Sequence, residues 1–344
     1  MFLFKLMLGV KHSCYYFADF FLVFVYFTFA HMKKYVLACC LLISNMVQAQ
    51  TIKAYYDYKW NRCEVHLARF IALLTKSDSG WNREDYFIST SRLQMKGLYK
   101  DSSCTIKNGY FAFFHANGYL EKTGRYTDDK KDGLWMEFYN NGMLGDSGMY
   151  VSGHPTGLIE GWHYNGVMRD SITIDPDGNG VQVSWFDNGN PSEAGRLQHY
   201  KKQGRWQFFE KNGTLAAKED YVQDSLTGRI YYDETGKPLA DTTSKDRAVH
   251  FLGGTAAWGK YVQNHASFPY NYKLVNTDTI TVIVAALIDE DGKVRDPYMQ
   301  VPFSDVFDKE ALRLFAKSPP WVPAVNHNRK VATYVRQPVT FVQQ

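Results

Sequence analysis

Proline, cysteine and recognisable catalytic motifs are scarce in this chain, and each scarcity closes off a class of protein. The 344 residues include 11 Pro with no proline-rich run, so no segment can serve as an extended polyproline spacer. Of the 5 Cys, Cys14, Cys39 and Cys40 fall in an apolar N-terminal stretch. Only Cys63 and Cys104 remain beyond it, enough for a single bridge or for two free thiols. No G-x-S-x-G, H-E-x-x-H or C-x-x-C occurs. The histidines, His66, His115, His154, His163, His199, His250, His265 and His327 among them, are scattered without metal-ligand spacing. The Asp175–Gly180 loop has the look of a calcium loop but lacks its closing Glu, so it reads as a turn. No enzymatic activity, metal or cofactor is expected. Formal net charge is +4. Without residues 1–49 the basic count falls from 39 to 35 and the acidic count from 35 to 34, leaving +1. Such a balance recommends neither nucleic acid nor an anionic membrane as partner.

What is present begins at Met32. Lys33 and Lys34 form a basic n-region, Tyr35 to Met46 an apolar h-region, and Val47-Gln48-Ala49 a small-residue cleavage site. Residues 32–49 therefore read as a signal peptide, and residues 1–31 as upstream sequence from a mis-assigned start. The competing reading makes residues 20–46 a membrane anchor, against which His31, Lys33 and Lys34 would sit inside the span.

The middle of the chain repeats. Units opening at Gly109, Gly133, Gly157, Gly180, Gly204 and Gly228 carry second glycines at Gly118, Gly142, Gly166, Gly189, Gly213 and Gly236, spaced by 24, 24, 23, 24 and 23 residues. In five of them an aromatic strand ends at Asn-Gly (Asn117, Asn141, Asn165, Asn188, Asn212), the pair favoured in tight hairpins because both residues tolerate positive φ. Trp135, Phe138, Trp162, Tyr164, Trp185, Trp206, Phe208 and Tyr231 form the aromatic pattern. Stacked hairpins of this kind predict an elongated, single-layer antiparallel sheet. Residues 50–108 read as its N-terminal cap, with a helix expected over Glu64–Lys76 from the spacing of Leu67, Phe70, Ile71 and Leu74. The G-x-W/I-x-x-Y/F-x-x-N-G signature resembles MORN-type repeats, in particular those of the YwqK antitoxin-like family. That resemblance implies a binding platform for proteins or lipid.

After a polar linker (240–249), residues 250–344 read as a small α+β domain. Ala256–Ala266 is an expected helix, Asp291-Gly292 an expected hairpin turn, and Ser304 an expected N-cap for a helix that ends at Pro319 and Pro320. Lys330–Val342 is an expected last strand. Phe268-Pro269, Asp291-Gly292-Lys293-Val294, Phe307-Asp308-x-Glu310-Ala311, Trp321-x-Pro323-Ala324 and Pro338-Val339-Thr340-Phe341 together resemble the C-terminal domain of TonB-family energy transducers. The resemblance implies a domain that accepts a peptide from an envelope or outer-membrane receptor protein as an added strand. It makes Phe268, Pro269, Tyr334, Val335 and Arg336 the candidate partner-binding residues.

The expected fold class is thus β-rich with two domains: a hairpin-repeat sheet and a small α+β domain. The expected function is a non-enzymatic, exported protein-binding adaptor in the periplasm of a Gram-negative bacterium. Two alternatives stand beside it. One is an energy transducer anchored in the inner membrane. The other is an antitoxin or immunity-like binder resting on the repeats alone.

Overall fold

The computed structural model describes residues 51–343, which belong to one compact unit. The signal-like segment 32–49, the residues before it and the alternative anchor 20–46 lie outside the described residues. The chain is β-rich. Fifteen strands form one antiparallel sheet in which spatial order is sequence order. They are β1 (Thr51–Tyr56), β2 (Phe70–Ser77), β3 (Gly80–Phe87), β4 (Leu93–Tyr99), β5 (Lys107–Phe114), β6 (Leu120–Thr127), β7 (Lys130–Phe138), β8 (Leu144–Val151), β9 (His154–Trp162), β10 (Met168–Ile174), β11 (Gly180–Trp185), β12 (Pro191–Gln198), β13 (Lys201–Phe209), β14 (Leu215–Val222) and β15 (Ser225–Tyr231).

The Asn-Gly pairs make turns, though not the expected ones. Only the glycines take positive φ, 93° at Gly118 and 84° at Gly142. Gly118 N–H donates to His115 O and His115 N–H to Tyr119 O, the pattern of a type I turn closed by a left-handed glycine bulge. Each Asn has a different task. The Asn117, Asn141, Asn165, Asn188 and Asn212 side chains accept from the backbone N–H two residues on. Three also donate to a carbonyl of the next turn, as Asn165 does to Asp187 O at 2.8 Å. The turns with two positive-φ residues lie at the opposite end, at Asp128-Asp129 (52°, 63°) and His199-Tyr200 (50°, 65°). There a two-residue connection must match the strand twist.

Alternation sorts the side chains into two faces. On the inner face, Trp135 and Trp206 lie flat over glycines of the preceding strand. A Cβ on Gly124 would come within 2.3 Å of Trp135, and one on Gly195 within 2.1 Å of Trp206. Each indole N–H donates to the neighbouring carbonyl, Arg125 O at 2.9 Å and Arg196 O at 3.1 Å. Phe138, Trp162 and Trp185 point the other way, to the outer face.

The helix expected over Glu64–Lys76 is not there. A short 3-10 turn (Val65–Leu67) precedes β2, whose Phe70, Ala72 and Leu74 are buried in alternation. The run Phe70–Leu74 is continuously apolar and satisfies both periods. Pairing with β1 on one side and β3 on the other decides for the strand.

The C-terminal part packs on the inner face. Helix α1 (Gly254–His265) leads to β16 (Thr279–Ile288) and β17 (Val294–Val301), then helix α2 (Asp305–Ala316), β18 (Ala324–Asn326), β19 (Arg329–Val331) and β20 (Thr333–Val342). The strand expected over Lys330–Val342 is thus split at Ala332. β17, β16 and β20 form a three-stranded sheet in that order, and β18 pairs β19. One face of the three-stranded sheet buries Val282, Val284, Val339 and Phe341 against Phe307, Leu314 and Phe315 of α2. Its other face joins the long sheet, where Val301 and Ile283 pack with Phe70 and Phe87. Ser304 stands at the N-cap of α2, but its hydroxyl is buried and bonds nothing. The Asp308 carboxylate instead accepts from Phe303 N–H at 2.9 Å.

Cys63 and Cys104 are both free and half-buried, so the bridge allowed by the sequence is not formed. Burial pushes both thiols up. Among the described residues no helix is long and apolar enough to cross a membrane.

Candidate functional site

β20 is an edge strand, and its sequence says so. Pro338 lacks an N–H and can sit in a sheet only where that position faces away from a neighbour. Opposite it lies Ile283, and the next pair but one is Thr340 with Thr281. The two threonine hydroxyls meet at 2.9 Å, the close approach of a non-hydrogen-bonded pair. Backbone groups of Thr340 and Val342 therefore point outward, away from β16. At Pro338 the outward carbonyl is taken by the Trp258 indole N–H of α1 at 3.0 Å. Beyond that contact α1 and the edge diverge. The groove between them measures about 1070 Å³ and is walled by Trp258 and Val262 on one side, Pro338 to Gln343 on the other, and Phe268 to Lys273 at its end.

Two of the five candidate residues lie in this groove. Phe268 is half-buried, its ring edge-on to Phe307 at 5.3 Å, and Pro269 accepts from Tyr272 N–H at 3.0 Å. Tyr270 beside them is 99 % exposed. The other three share β20 but not the groove. Val335 is 8 % exposed and belongs to the core with Val282 and Phe341. Arg336 is exposed, opposite Ala285. Tyr334 turns toward the long sheet, its ring 6.4 Å from that of Tyr139, and burial pushes its phenol up. Thr340 and Val342 were not singled out from the sequence, although Pro338 marks the strand as an edge.

Tyr334 lines a second cleft, of about 850 Å³, between the long sheet and the β16–β17 hairpin. Its charged groups are engaged with one another. Arg169 bonds Asp146 and, at 2.8 Å, Asp170. Lys211 bonds Asp187 at 2.7 Å and Glu290 at 3.3 Å. Among the described residues no three His, Cys, Asp or Glu side chains are placed to hold a metal.

The β18–β19 hairpin fixes this arrangement. Glu219 of the long sheet accepts from His327 Nδ1 at 2.7 Å and from the Tyr221 hydroxyl. Burial opposes its ionisation, yet these two hydrogen bonds outweigh burial and hold the Glu219 carboxyl below its ordinary range. The His327 ring stacks on Phe208 at 3.7 Å. Arg329, 4 % exposed, donates to Ser192 O, Ser192 Oγ, Phe209 O and Glu193.

A scan against protein-family models finds no match, and a comparison with curated proteins finds none either.

Proposed function

We propose that the protein is a non-enzymatic adaptor of the bacterial envelope that captures an extended segment of a partner protein as an added strand on β20. The observation that carries the reading is the open edge from Pro338 to Val342, with outward backbone groups at the floor of an apolar-walled groove. Main-chain bonding would supply affinity, and the pocket formed by Phe268, Pro269 and Trp258 would supply side-chain selection. In this reading residues 109–239 are six MORN-like hairpin repeats and residues 250–344 a TonB-like domain. The reading is supported by the shared geometry of the Asn-Gly turns and by the residues that resemble the TonB family. Export to the periplasm rests on the signal-like segment alone.

Val335 is unsuited to a test, because a charge in the core would unfold the domain. Thr340→Pro removes an outward N–H and leaves the bonds to β16 in place. A photoreactive residue at Val342 in living cells should give an adduct with an extended segment of one envelope protein. Thr340→Pro should abolish it at unchanged protein level. Adducts that persist unchanged in Thr340→Pro would sink strand addition.

A further inference from the structure

Among the described residues nothing covers the outer face of the long sheet. The C-terminal layer packs entirely on the inner face, and a sheet with two apolar faces calls for a layer on each. On the outer face three rows run across β5 to β11, traced by strand pairing except in the exposed row, which crosses a register shift between β6 and β7 and another between β8 and β9. One row is exposed and centres on Met149 of β8. Leu134 pairs directly with Met149, and Leu158 flanks it on the other side, each just after a bulge glycine, Gly133 or Gly157. Next outward come Arg125 and Thr173, then Tyr110 and Val181. The five apolar members are 45 % to 76 % exposed. The middle row is mixed in size, running from Ala112 and Thr123 through Met136 and Ser147 to Ser171 and Val183. The third consists of apolar pairs: Phe114 with Leu120, Phe138 with Leu144, Trp162 with Met168, Trp185 with Pro191.

The order in these rows is the informative part. Read from β8 in either direction, the exposed row gives Met, Leu, a polar residue, then a large apolar one. The third row gives aromatic–aliphatic pairs on both sides. An isologous interface needs such self-complementarity. The row also stops where the symmetry would end. At the position after the repeat glycine, where earlier units carry Tyr110, Leu134, Leu158 and Val181, the last two carry Arg205 and Arg229. Arg205 is paired to Asp220.

We propose that this face binds a second copy of the chain, outer face to outer face, about a twofold axis running along β8. Met149 then meets its own counterpart, Leu134 meets Leu158 of the other copy, and Tyr110 meets Val181. The two aromatic ends exchange, with Phe138 over Trp162. Charge follows the same symmetry. Glu160, in the middle row of β9, falls diagonally opposite Arg125 of the second copy, giving two equivalent pairs. Seven strands at about 4.8 Å spacing and three rows at about 6.7 Å make a face of roughly 700 Å² per copy. A stable interface needs about 800 Å² per partner, which the flanking turns can complete. Two twisted sheets so stacked form an aligned sandwich about 10 Å thick.

Sedimentation equilibrium on the protein as the cell processes it should give twice the chain mass at micromolar concentration. Leu158→Glu should give the single mass with unchanged far-ultraviolet circular dichroism. Arg125→Glu should weaken association at least about tenfold, and adding Glu160→Arg should recover it. Met149→Cys, with the 5 native cysteines replaced by serine, should be cross-linked between copies by a short bismaleimide, because sheets about 10 Å apart hold the two Cα atoms too far apart for a direct disulfide. A wild-type protein that stays monomeric overturns the proposal, and so does a dimer that Leu158→Glu leaves intact. A dimer in which Met149→Cys fails to cross-link places the axis elsewhere and overturns it equally.

Discussion

Asp308 shows how one side chain can set a pH dependence. It lies in the first turn of α2, half-buried, with its carboxylate accepting from Phe303 N–H. Burial is the main cause that pushes its pKa up to about 6, with nearby Asp305 adding to it. A carboxyl whose folded pKa exceeds the unfolded value binds its proton more tightly when folded. Its contribution to stability is therefore present below about pH 4 and is lost as pH rises to about 6. Asp308→Asn keeps an acceptor for Phe303 N–H and removes the charge. The variant should be about 1–2 kcal/mol more stable than wild type at pH 7, after allowance for solvent screening. The gain should vanish near pH 4, and urea denaturation at the two values checks it. Equal gains at both pH values would mean that ionisation of Asp308 is not the cause. The same turn marks a limit of sequence reading at this scale. Ser304 was correctly placed at the N-cap, yet nothing in its type reveals that Asp308 would bond the chain there and leave the hydroxyl buried. Val335 is a similar case. A strand residue in a run such as Tyr334-Val335-Arg336 belongs to the core or the surface according to register, and register was fixed only by the pairing of β20 with β16.

At the scale of elements, the smallest hairpin holds the C-terminal layer to the long sheet. β18 and β19 have three residues each, too few to persist alone. Their side chains do the anchoring: His327 on Glu219 and Phe208, Arg329 among Glu193 and two carbonyls of the long sheet. Removing one member of a buried charged set leaves the rest unpaired, at about 3–5 kcal/mol. Arg329→Ala should cost that much in chemical denaturation. Arg205→Ala, which breaks only an exposed pair with Asp220, should cost under about 1 kcal/mol. Comparable losses in the two variants would show that burial is not what gives Arg329 its weight. Elements of the long sheet were legible because most hairpins carry their own instruction: Asn-Gly at one end, a short turn at the other (five residues, 175–179, between β10 and β11), and an aromatic strand between. The failure at Glu64–Lys76 has the opposite origin. An apolar run without internal turn signals is decided by its neighbours, here β1 upstream across a long connection and β3 across a two-residue turn. The candidate groove was half legible. Phe268, Pro269 and the edge strand could be named, but the wall made by α1 depends on the Trp258–Pro338 contact, which joins residues eighty positions apart.

For the whole molecule, the question is whether the long sheet can stand without the C-terminal layer. The sequence suggested a linker at 240–249 and hence two separable parts. The packing argues otherwise. Phe70 and Phe87 of β2 and β3 share a core with Val301 and Ile283, Phe208 is covered by His327, and the Glu219 carboxylate, with 2 % of its side chain exposed, is paired there. A chain ending at residue 247 would expose two of these aromatic clusters, each fully buried ring being worth about 1.5–3 kcal/mol. It would also take His327 from Glu219, leaving only the Tyr221 hydroxyl on a largely enclosed carboxylate. A molecule with ordinary stability of about 5–15 kcal/mol cannot absorb such losses easily. The truncated protein should therefore unfold well below the full chain in a thermal melt, or fail to stay soluble. The full chain should melt in one transition. A truncated chain with an unchanged melting temperature would reverse this conclusion. It would make the sheet self-sufficient, and it would restore the antitoxin-like reading, which needs the repeats to act alone.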